Sequence, residues 1–230
     1  MHITYLSIFP DIFESFVSTT LIHRAISRWL LSFETINPRH FCDDKHRIID
    51  DKVYGGGHGM LMKAPPLIHA IKHRIKKHTL KKKNSDWMII IPHPSKNVFV
   101  QQYAHQWSEK KHLLFICGRY EGIDERVYLR LQQQYPKHVQ KISLWQFITL
   151  GGELPAMTMT ESIVRLVPGV IKEEMSWQDE SYAIDSDSMK IEYPQYTRPE
   201  NVEWIWVPEV LLQGNHKEIQ QWKDNHTLYC

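Results

Sequence analysis

The apolar positions of this chain change their period several times, and each change predicts an element. "HITYLSIF" (His2 to Phe9) mixes alternating apolar positions with β-branched and aromatic side chains and predicts a strand. Pro10 then opens a helical pattern through Phe13, Phe16 and Val17. Two later runs, "WMIIIP" (Trp87 to Pro92) and "HLLFICG" (His112 to Gly118), are apolar throughout and of strand length. Strands without alternation are covered on both faces, which predicts a parallel sheet. Helical patterns at Pro65 to Lys77 and Gly122 to Gln134 supply the cover, so residues 1–168 read as one α/β domain. A further helix follows Pro155 and stops before Pro168, because the residue preceding a proline is pushed out of helical geometry. Its stripe of Thr160, Ile163, Val164 and Val167 leaves Arg165 on the other side.

Beyond residue 168 the pattern weakens. Lys172 to Lys190 is rich in acids and serines with few apolar anchors, as expected of a linker over 169–190. A small unit over 191–230 ends in an amphipathic helix around Ile219 and Trp222. Lys72 to Asn84 carries a dense basic run, either a solvated helix end or a patch that contacts phosphates.

Composition narrows the class without naming a function. A net charge of +2 does not demand a nucleic-acid partner, and the three cysteines (Cys42, Cys117, Cys230) form no paired framework. Cys117, inside an apolar run, is expected to be a buried, inert thiol. No signal-peptide pattern and no membrane-length apolar stretch occur, so the expectation is a cytoplasmic protein without a membrane partner.

Glycine clusters carry the candidate chemistry. "DDKVYGGGHGML" (Asp50 to Leu61) has the glycine density of a phosphate loop, yet Met60 and Leu61 stand where the lysine and hydroxyl residue belong. A dinucleotide fingerprint fails at Met62. His40, Cys42, His46 and His58 show no metal-ligand pairing, so no metal site is read. "CGRYEGIDERV" (Cys117 to Val127) ends a buried strand in a charged turn, where open α/β sheets bind ligands. "TLGGELPAM" (Thr149 to Met157) lets main chain approach a ligand closely.

Together with "SIFPDIF", "RLVPGV", "YPQYTRPE" and "VPEVLLQGNH", these strings resemble, in order and spacing, the bacterial tRNA (guanine-N1)-methyltransferases of the SPOUT superfamily. The resemblance covers nearly the whole chain. It implies a deep trefoil knot in an S-adenosylmethionine-binding domain (1–168) and a small, mainly helical tRNA-contacting domain. It also implies a homodimer with shared active sites that grips the tRNA anticodon stem-loop. The implied reaction moves a methyl group from S-adenosylmethionine to N1 of guanosine 37, beside the anticodon.

That reaction needs a base for the N1 proton and a fixed cation for charge building on O6. Arg165 matches the family's catalytic arginine, and Glu180 its linker carboxylate, with Asp179 the adjacent alternative. Glu121 matches an acid important for activity. The methyl donor is expected on Gly118, Leu144, Trp145, Gln146, Phe147, Ile148, Thr149, Gly151, Gly152 and Pro155. The family also suggests magnesium dependence, with no cage readable in the sequence.

The chain departs from the family at three places. "LWQFIT" (Leu144 to Thr149) replaces a segment close to isoleucine-glycine-aspartate-tyrosine-valine-leucine, so Trp145 is expected to crowd the donor's adenosine. "IPHPSKN" replaces a serine-proline-glutamine-glycine turn, and the chain stops at "NHTLYC", short of a further helical tail. The Trp145 change, the lost turn near His93 and a glutamate at 180 where the family's linker has aspartate also allow a second reading, a tRNA-binding protein on the same scaffold that has lost methyl transfer.

Overall fold

The computed structural model describes residues 1–77, 86–171, 181–182 and 190–229. Its contacts divide the chain into two units, Met1–Lys172 and Glu173–Cys230.

The first unit is built on strands β1 (His2–Leu6), β2 (Ser32–Ile36), β3 (Asp50–Lys52), β4 (Met60–Met62), β5 (Trp87–Pro92), β6 (His112–Ile116) and β7 (Val139–Ile142). Helices α1 (Glu14–Val17), α2 (Thr20–Ser27), α3 (Ala64–Lys77), α4 (Gln101–Ser108), α5 (Glu125–Gln134) and α6 (Glu153–Val164) lie between and after them. Five strands form one sheet in the order β2-β1-β6-β5-β7, every neighbouring pair parallel. β3 and β4 form a separate antiparallel hairpin.

Both faces of the sheet are buried, as the unbroken apolar runs predict. Leu6, Ile89, Ile91, Leu114 and Ile116 pack with Leu67, Ile71 and Ile75 of α3 and Val127 and Leu131 of α5. The alternate residues turn to the other face, where the Tyr5 ring stacks on Phe13 at 4.0 Å and its hydroxyl donates to Thr160 of α6 at 2.8 Å. α4 packs on α6.

Helix boundaries follow local chemistry. α5 starts at Glu125, later than expected, because the Asp124 carboxylate caps it by accepting from Arg126 N–H and Gly122 holds φ +124°. The hydrogen bond from the Arg126 side chain draws the Asp124 carboxyl below its usual range. α6 starts at Glu153, ahead of Pro155, which sits in the first turn where a missing N–H costs nothing.

The described part of the basic run is of two kinds. Lys72, Lys76 and Lys77 are exposed at the end of α3. Arg74 is buried: its Nε donates to Thr4 Oγ1 at 2.5 Å and lies 3.3 Å from the Glu34 carboxylate. Burial pulls its guanidinium down to about 10, with Glu34 opposing the shift.

In the second unit, strands β8 (Lys190–Ile191), β9 (Asn201–Val202), β10 (Ile205–Trp206) and β11 (Leu228–Tyr229) pair as two antiparallel ribbons, β9 with β10 and β8 with β11. Helices α7 (Glu209–Leu212) and α8 (His216–His226) complete it. Trp222 of α8 packs edge-on against Tyr193 and Tyr196.

Candidate functional site

The C-terminal ends of β5, β6 and β7 open into a cavity of about 480 Å³. Its floor is Ile91 and Pro92 of β5, Gly118 just after β6, and Ile142 of β7. Segment 143–152 folds over it as a wall. Parallel sheets bind ligands at this end, where connections leave room between strands.

Most of the residues expected to hold a methyl donor meet here. Gly118, Leu144, Phe147, Ile148, Thr149, Gly151, Gly152 and Pro155 line the cavity, and so does Glu121. Trp145 and Gln146 do not. The Trp145 side chain is exposed and its carbonyl accepts from the Ser143 hydroxyl at 2.8 Å, so the indole does not crowd this cavity as expected. Arg165 stands at the C-cap of α6, half-buried and off the cavity wall. Asp179 and Glu180 lie outside the described residues.

Close backbone approach builds the floor. Gly152 N–H donates to Gly118 C=O at 2.8 Å. A Cβ at residue 152 would lie 2.9 Å from Cys117 Cα and 3.0 Å from Gly118 N, so only glycine passes here without displacing main chain. Beneath it Cys117 is fully buried, and burial pushes its thiol well above the usual range, as an inert core cysteine requires.

The glycine-rich hairpin β3–β4 holds the other wall. Glu121 N–H donates to Met60 C=O at 2.9 Å, Met62 N–H to Gly122 C=O at 3.0 Å, and Asp124 N–H to Met62 C=O at 3.0 Å. Gly59, at φ +87°, presses against the Glu121 side chain so closely that a Cβ would overlap it. Asp50 is in β3 opposite Met62 and does not line the cavity. Gly59→Ala is expected to cost about 1–3 kcal/mol through the overlap and the left-handed backbone. Thermal denaturation reads this as a drop of about 2–4 °C for each kcal/mol in a chain of this size.

Sequence reasoning did not assign His93, Pro94, Tyr120 or Ser143 to the site, although all four line it. The available signal was their place at strand C-termini. His93 Nδ1 lies 2.7 Å from Pro94 C=O. A carbonyl only accepts, so Nδ1 carries the hydrogen and Nε2 is left as an acceptor in the neutral ring. Ser143 and Thr149 donate their hydroxyls to main-chain carbonyls of Trp145 and Gly151, each at 2.8 Å. The wall therefore offers a ligand mainly apolar surface, main-chain groups and the Glu121 carboxylate.

The family described as tRNA (Guanine-1)-methyltransferase TrmD matches residues 1–229. This chain belongs to that family. It is 40% identical over 228 residues to a tRNA (guanine-N(1)-)-methyltransferase of Staphylococcus haemolyticus (strain JCSC1435), covering 99% of this chain and 86% of the relative. Proteins of the same name from Dictyoglomus turgidum and Bacillus subtilis are 38% and 36% identical, again over 99% of this chain and over 85% and 88% of their own lengths.

Membership of a TrmD methyltransferase family implies S-adenosylmethionine as the methyl donor. The residues present fit a nucleoside sulfonium of that kind. The glycine floor at 118 and 152 exposes main chain, and Ile91, Ile142 and Leu144 supply apolar contact. Among the described residues no cluster of three or more His, Cys, Asp or Glu is arranged to hold a metal ion. No helix among them is long and apolar enough to cross a membrane.

Proposed function

We propose that this TrmD-family enzyme transfers the methyl group of S-adenosylmethionine to N1 of guanosine 37 in tRNA, from active sites shared between two copies of the chain. The observation that carries the reading is the convergence of eight expected donor-binding positions and Glu121 on one cavity at the C-terminal end of the parallel sheet. In this reading residues 1–168 form the knotted donor-binding domain, with segment 143–152 returning over the end of β6. Residues 169–190 form the linker that carries the base, and 191–230 contact the anticodon stem-loop.

S-adenosylmethionine supplies an electrophilic methyl group on its sulfonium. The chain's own residues do the rest. The linker carboxylate, Glu180 in this assignment, takes the N1 proton of guanine as that nitrogen attacks. The Arg165 guanidinium holds the charge that builds on O6. The glycine floor and the 143–152 wall fix the donor in line with the acceptor nitrogen.

Helix α6 supports the shared site. Its first turn, with Gly152 before it and Pro155 within it, lines the cavity, while Arg165 caps its other end. Twelve residues of helix at about 1.5 Å each separate the two by about 18 Å, too far for one arginine side chain. An arginine supplied by a second copy removes the conflict. Segment 145–154 offers an apolar surface for that copy, with Leu150 92% and Ile148 80% exposed beside Trp145, Phe147 and Leu154.

The test uses labelled S-adenosylmethionine and two unmodified tRNA transcripts, one with guanosines at 36 and 37 and one with adenosine at 37. Label is expected in the first only. Binding of both transcripts without label in either identifies a tRNA-binding protein that has lost transfer.

A further inference from the structure

Glu153 is the one buried carboxylate among the described residues, at 1% exposure, and the chemistry above does not use it. A buried carboxylate is costly unless each oxygen is met by a donor. Here both are. Ser7, directly after β1, donates its hydroxyl to Oε1 at 2.6 Å. Arg119 Nε donates to Oε2 at 2.8 Å.

Each partner is fixed in turn. Ser7 Oγ accepts from Phe9 N–H at 3.0 Å, and Cys117 N–H next to it donates to Leu6 C=O at 2.9 Å. Arg119 also reaches Leu150 C=O at 3.4 Å and lies over the Phe9 ring, 4.7 Å from its centroid. Gly151 fits into the angle between Arg119 and Glu153, where a Cβ would overlap both. One carboxylate thus ties together the end of β1, the turn after β6 and the last residues of the cavity wall.

We infer that Glu153 is a positioning residue: it does not touch the reacting atoms, and it sets the Leu150–Gly152 wall and with it the affinity for the methyl donor. The inference rests on reading the cavity as the methyl-donor site. Charge matters as well as shape. An amide at 153 has one accepting end, whereas Arg119 Nε–H and the Ser7 hydroxyl both donate to the carboxylate. With its oxygen toward Ser7, its NH2 opposes Arg119 Nε–H and releases Leu150 and Gly151; with its oxygen toward Arg119, the Ser7 bond must reverse and a neutral acceptor holds the guanidinium less tightly than a carboxylate.

The experiment is titration calorimetry of the full chain with S-adenosylhomocysteine, the unreactive product, for wild type, Glu153→Gln and Ser7→Ala. Glu153→Gln is expected to raise the Kd tenfold or more, and Ser7→Ala, which removes one donor and little volume, about threefold. Affinity for an unmodified tRNA transcript should stay within twofold in both. A Kd within twofold of wild type in Ser7→Ala and in any folded Glu153→Gln overturns the inference, even if Tm falls, because that is what a purely structural network does. Wild type that fails to bind S-adenosylhomocysteine overturns the donor-site reading and this inference together.

Discussion

Glu180→Gln should leave a folded enzyme that binds donor and tRNA but transfers methyl about 10²–10⁴-fold more slowly, whereas Asp179→Asn should transfer at close to the wild-type rate. The N1 proton must leave guanine for the nitrogen to attack, and a carboxamide cannot take it. The pair of variants decides between neighbouring carboxylates that chemistry alone does not separate. Glutamate and aspartate have similar basicity, and the extra methylene of Glu180 changes only its reach. The measurement is a single-turnover rate at saturating donor, alongside the Kd for S-adenosylhomocysteine. The reverse pattern moves the base to Asp179, and full activity in both variants removes the linker carboxylate from the mechanism.

Arg165→Ala should slow single-turnover transfer about 10²–10³-fold while the Kd for S-adenosylhomocysteine stays within twofold. Charge on O6 exists only as N1 loses its proton, so the arginine's contribution appears in the rate and not in donor binding. Equal loss in both quantities would contradict that role. The same variant tests the shared site. Thr149→Trp fills the cavity wall and should be inactive alone through lost donor binding. If Arg165 serves the cavity of the other copy, a mixed dimer of the two variants has one intact site. Unfolding and refolding them together in equal amounts should then restore about a quarter of wild-type activity. No recovery, with mixed dimers present, would place the arginine and the cavity in the same chain.

Legibility differed along the chain for physical reasons. The central strands β5 and β6 are covered on both faces, and their unbroken apolar runs show in one dimension. The edge strands β2 ("SFETI") and β7 ("VQKI") are short and carry polar positions, and only the tertiary pairing reveals them. Helix α4 buries only Ala104 and Trp107, too few positions for a clear stripe. The glycine clusters are legible as tight backbone, but what they approach is not. Gly59 meets Glu121 and Gly152 meets Cys117, in each case far away in sequence. The phosphate-loop appearance of Gly55 to Gly59 therefore resolves into a hairpin that supports Glu121. Likewise, Glu153 in "GGELPAM" looks like an ordinary helix-start acid until its burial and its two donors are seen.

The central claim is methyl transfer to one nitrogen of one nucleoside. The direct measurement is nucleoside analysis by mass spectrometry after the wild-type chain acts on an unmodified transcript with guanosines at 36 and 37, with S-adenosylmethionine present. N1-methylguanosine at position 37, in amounts approaching one per transcript, is the predicted result. A bound transcript that yields no N1-methylguanosine, or a methyl group at any other position, would contradict it.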